Sequence, residues 1–385
     1  MNVNEKNIFF SADHLKRDGK IDNYQIIKRN YGIDLLRIIA MINIINLHIN
    51  LYSGQLALKY TSSKFFNIWR LQAFSRWAVD CFGLISGIVG YKRYKFSNLI
   101  YLWIQVTFYS ISISFYLFLK NQINKKDLFL SIFPILIKRH WYVNAYFSMY
   151  LLLPFINYGI NSLNRKIYRN LIIFFISFFS IYNVIANIFG HENYHFLNDG
   201  YTSMWITILY IIGAYFGKYI IINKNKNGII HFILYILIYI FCSFLSSEIK
   251  FRLIKIKSKI RNLILINYLS PTMFSQAISL ILCFSRINIT KKCIIKIIVF
   301  LTPLTFSVQL IHARLFIARI KIVKVLFKFV NGYKTFFIFF KIYGLSIIIY
   351  FVCISIDYFR LIIFKFFKIR NFCIFLEKKV PQLFE

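Results

Sequence analysis

One apolar segment of the sequence carries ionisable residues in its interior. The segment covers residues 31–50 and reads YGIDLLRIIAMINIINLHIN. Its length and apolar character are typical of a helix that crosses a membrane. Asp34, Arg37 and His48 lie within it, and ionisable side chains are rare and costly inside spanning helices. These three residues are therefore the first candidates for a functional site.

The spacing of the three residues places them on one side of a helix. Arg37 and His48 are eleven positions apart. At about 100° per residue such positions return to nearly the same face, roughly 16 Å apart along the axis. Asp34 precedes Arg37 by three positions, a separation that allows an ion pair. We expect a charged pair at one membrane surface and an imidazole near the middle of the bilayer.

Apolar runs of similar length recur along the chain. Of its 385 residues, 58% are hydrophobic, and the runs follow one another from residue 33 to residue 360. This pattern predicts an all-α polytopic membrane protein with a bundle of about ten transmembrane helices. The predicted spans are 33–52, 77–91, 98–119, 141–158, 170–189, 203–222, 229–246, 263–285, 294–313 and 335–359.

The flanks of this region are polar and basic. Residues 1–30 lack the apolar core and cleavage site of a secretory signal peptide. We interpret 1–30 as a cytoplasmic leader, 31–360 as a transmembrane domain and 361–385 as a basic cytoplasmic tail. By the distribution of positive charge, we expect a multi-pass protein of the plasma (inner) membrane with both termini in the cytoplasm.

Four segments between or within the spans have their own interpretation. Residues 53–76 are expected to form an outer loop, and the short apolar run 128–137 a partial or re-entrant span. Residues 250–261 are heavily basic on the side that this topology places outside. Either a span is miscounted or this segment lies on the membrane surface. Pro303 predicts a kink because it removes a backbone donor.

The charge of the chain is strongly positive. Its 48 Lys and Arg against 13 Asp and Glu give a formal net charge of +35. The basic residues are scattered between the spans rather than gathered on one domain, so we do not expect a nucleic-acid partner. Three interpretations of the excess are open: the compositional bias of an AT-rich genome, contact with the anionic head groups of the bilayer, and the binding of an anionic donor. The scarcity of buried carboxylates also argues against proton-coupled transport.

Metal binding is not expected. His191 and His195 are four positions apart with Glu192 between them, but Gly, Asn and Asp around them indicate a loop, and the HExxH pattern is absent. The cysteines form no CxxC pair and lie in or beside apolar runs, so we interpret them as small apolar fillers: Cys81, Cys242, Cys283, Cys293, Cys353 and Cys373.

Each candidate in the first span allows a chemical and a structural interpretation. His48 is a general base or an acyl acceptor, because imidazole titrates near neutrality, or it is a hydrogen-bonded packing residue. Arg37 holds a phosphate group through its planar guanidinium, or it pairs only with Asp34.

The second span offers a similar choice. Ser86 lies within Gly83-x-x-x-Gly87, so it shapes a cavity or belongs to a helix-packing surface. Lys92 and Arg93 follow the span. They meet an anionic ligand, or they serve topology and contact with lipid.

In chain order, six segments resemble segments of the integral-membrane acyltransferase-3 family, particularly its bacterial members that O-acetylate cell-surface polysaccharides. The first has an Arg, ten residues and then a His. The segments read GIDLLRIIAMINIINLH, VDCFGLISGIVGY, YVNAYFSMYLLLPFIN, DGYTSMWITILYIIGAYFGKY, NYLSPTMFSQAISLILCF and LTPLTFSVQLIH. Together they span roughly residues 31–320.

The resemblance implies an O-acyltransferase that moves an acyl group, with acetyl expected, from acyl-CoA to a hydroxyl of a cell-surface or lipid-linked polysaccharide. It implies acyl-CoA as a co-substrate at the cytoplasmic face and no bound cofactor. The catalytic roles fall to His48 and Arg37. From their charge, we expect Arg37, Lys92 and Arg93 to hold the phosphates of the coenzyme. The substrate cavity is expected to include Asp34, Ser86, Tyr142, Tyr146 and His312.

Three departures from the family pattern concern how the substrates are gripped. Ile88 follows Ser86-Gly87 where an aromatic residue is usual, Gln309 replaces a common Tyr, and the basic run after the second span is thinned.

The alternative functions are a transporter or flippase of glycan intermediates and a membrane scaffold. A transporter would move substrate without consuming acyl-CoA.

Overall fold

The computed structural model describes residues 29–92, 94–135, 141–191, 197–221, 228–258, 260, 263–317, 321–331 and 337–379. Every regular element in these ranges is helical, which confirms the predicted all-α class. The α-helices are α1 Tyr31–Tyr52, α2 Ser63–Ser75, α3 Trp77–Gly90, α4 Phe96–Leu119, α5 Lys125–Leu130, α6 Trp141–Ser162, α7 Arg165–Phe175, α8 Tyr182–Ile188, α9 Ser203–Tyr219, α10 Gly228–Lys255, α11 Pro271–Ser285, α12 Lys292–Leu301, α13 Thr305–Ile317, α14 Lys321–Asn331, α15 Ile338–Phe366 and α16 Ile369–Lys379.

Several of these helices are long and apolar enough to cross a membrane. Within the described ranges there are five: Tyr31–Tyr52, Phe96–Leu119, Arg165–Ile188, Ile229–Lys255 and Ile338–Phe366. A sixth span results if α12 and α13 are taken together. The predicted count of about ten is therefore not confirmed, because helices such as α3 and α11 are shorter than a full span.

Helices α3 and α9 form the closest packing of the bundle. A Cβ atom on Gly87 would lie 1.9 Å from the carbonyl oxygen of Tyr210, and one on Gly213 would lie 2.0 Å from that of Leu84. Backbone atoms occupy the space that a side chain would need. The interpretation of Gly83-x-x-x-Gly87 as a packing surface is thus confirmed.

Helices α3, α6 and α9 run in one direction, and α1 runs in the opposite one. At one end Asp80 accepts a hydrogen bond from Trp205, and at the other Asn157 accepts one from Tyr210 at 2.8 Å and donates to Gly90. Tyr52, the last residue of α1, lies near Tyr201 at the first of these ends. The amino ends of α3, α6 and α9 therefore lie on the same side of the bundle as the carboxyl end of α1.

Proline affects two of the helices differently. The chain between α12 and α13 contains Pro303, and the two helices are bent by 47°, which confirms the predicted kink. Pro154 lies inside α6 without ending it.

Four predicted segments differ from the structure. Residues 53–76 contain α2, whose buried Phe65, Ile68 and Leu71 recur with helical spacing. Helix α10 continues to Lys255, so residues 250–255 are its last turns rather than a separate surface segment. Helix α11 begins only at Pro271, and α5 ends at Leu130, before most of the short apolar run 128–137.

A glycine substitution tests the α3–α9 contact. We expect Gly87→Ala to destabilise the protein by about 1–3 kcal/mol, because the added methyl group overlaps backbone atoms that cannot move independently. Gly159→Ala in α6 is the matched control, since a Cβ there meets nothing within 4 Å. Thermal denaturation of the detergent-solubilised variants measures the difference. A Gly87→Ala protein as stable as Gly159→Ala contradicts the assigned contact.

Candidate active site

The ionisable residues near the start of α1 form the predicted ion pair. Arg37 Nη1 lies 3.0 Å from Asp34 Oδ1. The Asp34 side chain is 7% exposed and that of Arg37 is 24% exposed. The carboxylate thus orients one terminal nitrogen of a guanidinium group that remains partly accessible.

His48 lies four residues before the end of α1 and contacts α13. Its Nδ1 atom lies 2.8 Å from Nε2 of His312. Nδ1 of His312 in turn lies 2.5 Å from the main-chain oxygen of Val308, one helical turn earlier. His312 is only 1% exposed. Consecutive hydrogen bonds therefore connect the Val308 carbonyl group, the buried imidazole of His312 and the partly exposed imidazole of His48.

The hydrogen-bonding pattern determines the tautomers of the neutral pair. A carbonyl oxygen can only accept, so Nδ1 of His312 carries the proton. Nε2 of a neutral His312 then accepts, and Nδ1 of His48 donates to it. The neutral His48 consequently bears its lone pair at Nε2, the atom that points away from His312. This is the arrangement that a second group imposes on a catalytic histidine when it fixes the tautomer.

Aromatic rings surround the histidine pair. The rings of His48 and Tyr52 have centroids 5.8 Å apart, and those of His312 and Phe316 lie 5.5 Å apart. Tyr52 and Phe316 also meet edge to face at 6.2 Å. These rings limit the access of water to the inner imidazole.

Helices α3 and α6 bring further predicted residues to the side of Arg37. The Tyr146 hydroxyl lies within hydrogen-bonding reach of Ser86, and the charge of Arg37 acts on Tyr146. Arg37 also acts electrostatically on Cys81. The rings of Tyr142 and Tyr146 are stacked, with centroids 6.3 Å apart. The structure therefore brings the predicted cavity residues of three helices into one neighbourhood.

These polar side chains remain accessible. Arg37, His48, Ser86 and Tyr146 are each partly exposed, although each directly follows a buried residue in its helix. Ser86 also donates to the carbonyl oxygen of Phe82 at 2.8 Å, so its hydroxyl proton is engaged within α3.

The structure describes only some residues of two other predicted groups, the basic pair after α3 and the histidines after α8. Lys92 is exposed just beyond α3, with Nζ 5.8 Å from the centre of the Tyr91 ring, and Arg93 lies outside the described residues. His191 follows α8, whereas Glu192 and His195 lie outside the described residues. In the ranges that the structure covers, His, Cys, Asp and Glu form no group suited to a metal ion.

Sequence reasoning missed Tyr52, Val308 and Asp80 as neighbours of the site. A signal existed for the first two, since each lies four positions from a candidate histidine and so on the same helical face. Asp80 was overlooked although it is a buried carboxylate in an apolar span.

The sequence of residues 30–357 matches the family model described as an acyltransferase domain. The chain belongs to the acyltransferase-3 family. Its acyltransferase-3 domain begins just before α1 and ends within α15, so it includes every candidate residue. The resemblance drawn from the six segments is confirmed, and the chain is a membrane acyltransferase. No curated protein and no solved structure matched the chain.

Proposed function

We propose that the protein transfers an acyl group, acetyl in the simplest case, from acyl-CoA to a hydroxyl of a cell-surface or lipid-linked polysaccharide. The observation that supports the proposal is the chain of hydrogen bonds from the Val308 carbonyl through His312 to His48. It orients a basic nitrogen inside the acyltransferase-3 domain. General-base catalysis of acyl transfer requires such a nitrogen.

In the proposed reaction, Nε2 of His48 first accepts a proton and then donates it. As the sugar oxygen attacks the thioester carbonyl carbon, Nε2 accepts the hydroxyl proton. The carbon–sulfur bond then breaks, and the departing thiolate takes the proton from His48. The products are the sugar ester and free coenzyme A, and His48 returns to its neutral form. His312 acts as a positioning residue that holds the tautomer.

Arg37 is the proposed contact for the donor. Coenzyme A carries several phosphate charges, and a guanidinium binds phosphate in a bidentate manner. The ion pair with Asp34 orients this group without burying it. Lys92 and Arg93 extend the proposed donor site toward the end of α3. The thioester then reaches His48 along the face of α1 that both residues share.

The orientation in the membrane follows from the basic residues at one end of the bundle. Lys218 lies 3.4 Å from the carbonyl oxygen of Asn161, and Arg165 lies over the Tyr219 ring at 5.5 Å. Lys92 belongs to the same end. By the positive-inside rule we assign this end to the cytoplasm of the plasma membrane. Helices α3, α6, α9 and α11 then complete a ten-span bundle with both termini cytoplasmic.

The ester content of surface glycan tests the function. We expect cells that lack the protein to lose these esters and to regain them with the wild-type gene. Membranes supplied with acetyl-CoA and saponified glycan should release free coenzyme A thiol. If the deletion changes the amount or length of the glycan but not its esters, the transporter alternative replaces this proposal.

Substitutions of the histidines test the mechanism. His48→Ala should lower the transfer rate by about 10²–10⁴-fold through loss of the general base. His312→Ala should lower kcat by about 10–100-fold, a loss typical of groups that orient a functional histidine, with the KM for acetyl-CoA unchanged. His231→Ala in α10 is the control. A His48→Ala protein of normal abundance and full activity contradicts the mechanism.

An arginine substitution tests the donor site. Arg37→Ala should raise the KM for acetyl-CoA by about 10–100-fold, the equivalent of one charged hydrogen bond, and Arg37→Lys should recover part of it. Arg70→Ala is the matched control, because Arg70 forms a comparable ion pair with Glu248 at 2.9 Å in another part of the bundle. If the KM for acetyl-CoA is unchanged in Arg37→Ala, Arg37 does not bind the donor and its role is only the ion pair with Asp34.

A further inference from the structure

Three aromatic rings meet where α6, α9 and α11 begin. Trp141 opens α6, Tyr201 precedes α9 and Tyr268 precedes α11. The centroids of Trp141 and Tyr201 lie 4.6 Å apart, and those of Tyr201 and Tyr268 lie 5.0 Å apart. Trp141 and Tyr268 are nearly parallel at 6.0 Å. Residues that are far apart in sequence thus build one aromatic surface.

The loop that precedes Tyr201 contains a strained backbone and is joined to the segment of Tyr268. Asn198, Asp199 and Gly200 have φ values of 43°, 56° and 93°, in the region that L-residues other than glycine seldom adopt. The Tyr268 amide donates to the Asp199 carbonyl at 3.2 Å, and a Cβ on Gly200 would lie 2.6 Å from that of Tyr268. Such strain persists where the surrounding structure requires a particular placement.

A cation lies against the aromatic surface. The guanidinium of Arg76, between α2 and α3, lies 5.4 Å from the centre of the Tyr268 ring and donates to the carbonyl oxygen of Ile266 at 3.2 Å. Burial raises the pKa of the Tyr268 hydroxyl well above its usual range, and Tyr201 acts in the same direction. Tyr268 therefore remains a neutral hydroxyl beside a charged donor.

Two buried polar atoms next to this surface have no hydrogen-bond partner among the described residues. Asp80 is fully buried, and its Oδ1 accepts from the Trp205 indole at 3.1 Å. Its Oδ2 atom and the buried hydroxyl of Tyr142 have no hydrogen-bond partner in the part of the chain that the structure describes. Asp80 and Tyr142 are close enough to interact electrostatically. A buried acceptor and donor without partners are costly, and a bound hydroxyl-rich ligand satisfies both.

The aromatic surface is next to the histidine pair. Tyr52 contacts His48 at 5.8 Å and is close enough to Tyr201 to interact with it electrostatically. His48 is four residues from the carboxyl end of α1, whereas Arg37 lies near its amino end. The surface therefore approaches His48 from the carboxyl end of α1, and its neighbour Tyr142 adjoins Tyr146 on the side of Arg37.

We propose that Trp141, Tyr201, Tyr268, Arg76, Asp80 and Tyr142 form an acceptor subsite that binds one sugar ring of the glycan. The aromatic faces pack on the C–H face of the pyranose. Asp80 Oδ2 accepts a hydrogen bond from one sugar hydroxyl, and the Tyr142 hydroxyl donates to another. The ring then presents a neighbouring hydroxyl to His48 from the Tyr52 end. The delivery to His48 rests on the proposed acyl transfer; the binding of the sugar does not.

Calorimetric titration of the full-length protein in detergent tests the binding. The probe is saponified surface glycan from cells that lack the protein. We expect Trp141→Ala and Tyr142→Phe each to raise the Kd at least tenfold. The matched controls are Trp103→Ala and Tyr158→Phe, whose side chains are 43% and 81% exposed on other surfaces, and they should bind as the wild type does.

The phenylalanine variant separates recognition from packing. If Tyr142 served only the fold, loss of its unpaired buried hydroxyl would leave the melting temperature equal or higher and the Kd unchanged. An unchanged Kd in both Trp141→Ala and Tyr142→Phe overturns the subsite. A wild-type protein that does not bind the glycan overturns it as well.

Kinetics distinguish the subsite from the proposed reaction. In the acetyl-CoA assay, Tyr142→Phe should raise the KM for glycan at least tenfold and leave the KM for acetyl-CoA within twofold. If the wild type binds glycan through these residues but forms no ester, the acyl-transfer proposal fails and the subsite stands. If the wild type forms esters and Tyr142→Phe keeps the wild-type KM for glycan, the subsite fails alone.

Discussion

The contact between His48 and His312 is the interaction on which the rest of the site depends. It joins α1 to α13 across 264 positions of sequence at 2.8 Å. The Val308 carbonyl holds His312 in the only neutral tautomer that can accept from His48. A shift of α13 by a fraction of a helical turn would separate the two rings, so the bundle must hold this helix firmly relative to α1.

Buried polar bridges supply that rigidity. Gln105 of α4 donates to Ser307 of α13 at 2.5 Å. Tyr109, one turn further along α4, donates to Asp357 of α15, which forms a two-pronged ion pair with Arg360 at 2.7 and 2.9 Å. In a membrane, where apolar packing gives helices little preference for one another, hydrogen bonds between helices specify their placement. Helix α4 therefore links the helix that carries His312 to α15.

Helix α1 carries a polar stripe on each of two opposite sides. Arg37 and His48 share one side. Asn43 accepts from Tyr343 at 3.0 Å, and Asn46 accepts from Ser346, on the side that meets α15. The stripe of Arg37 and His48 remains partly accessible, whereas the stripe of Asn43 and Asn46 forms hydrogen bonds with α15. This division explains why an apolar helix contains several polar residues. Asn43 and Asn46 fix the position of α1, and α1 in turn presents Arg37 and His48.

The sequence by itself determined the features that depend on short separations: α1 with its Asp34–Arg37 pair, the glycine packing surface of α3, the break at Pro303 and the ordered segments that indicate the family. Helical geometry fixes such relations within a few turns. Only the tertiary structure decided that His48 meets His312, that α2 fills the predicted loop and that Trp141, Tyr201 and Tyr268 converge. Periodicity shows which face of a helix is polar, but the partner of that face depends on how all the helices pack together.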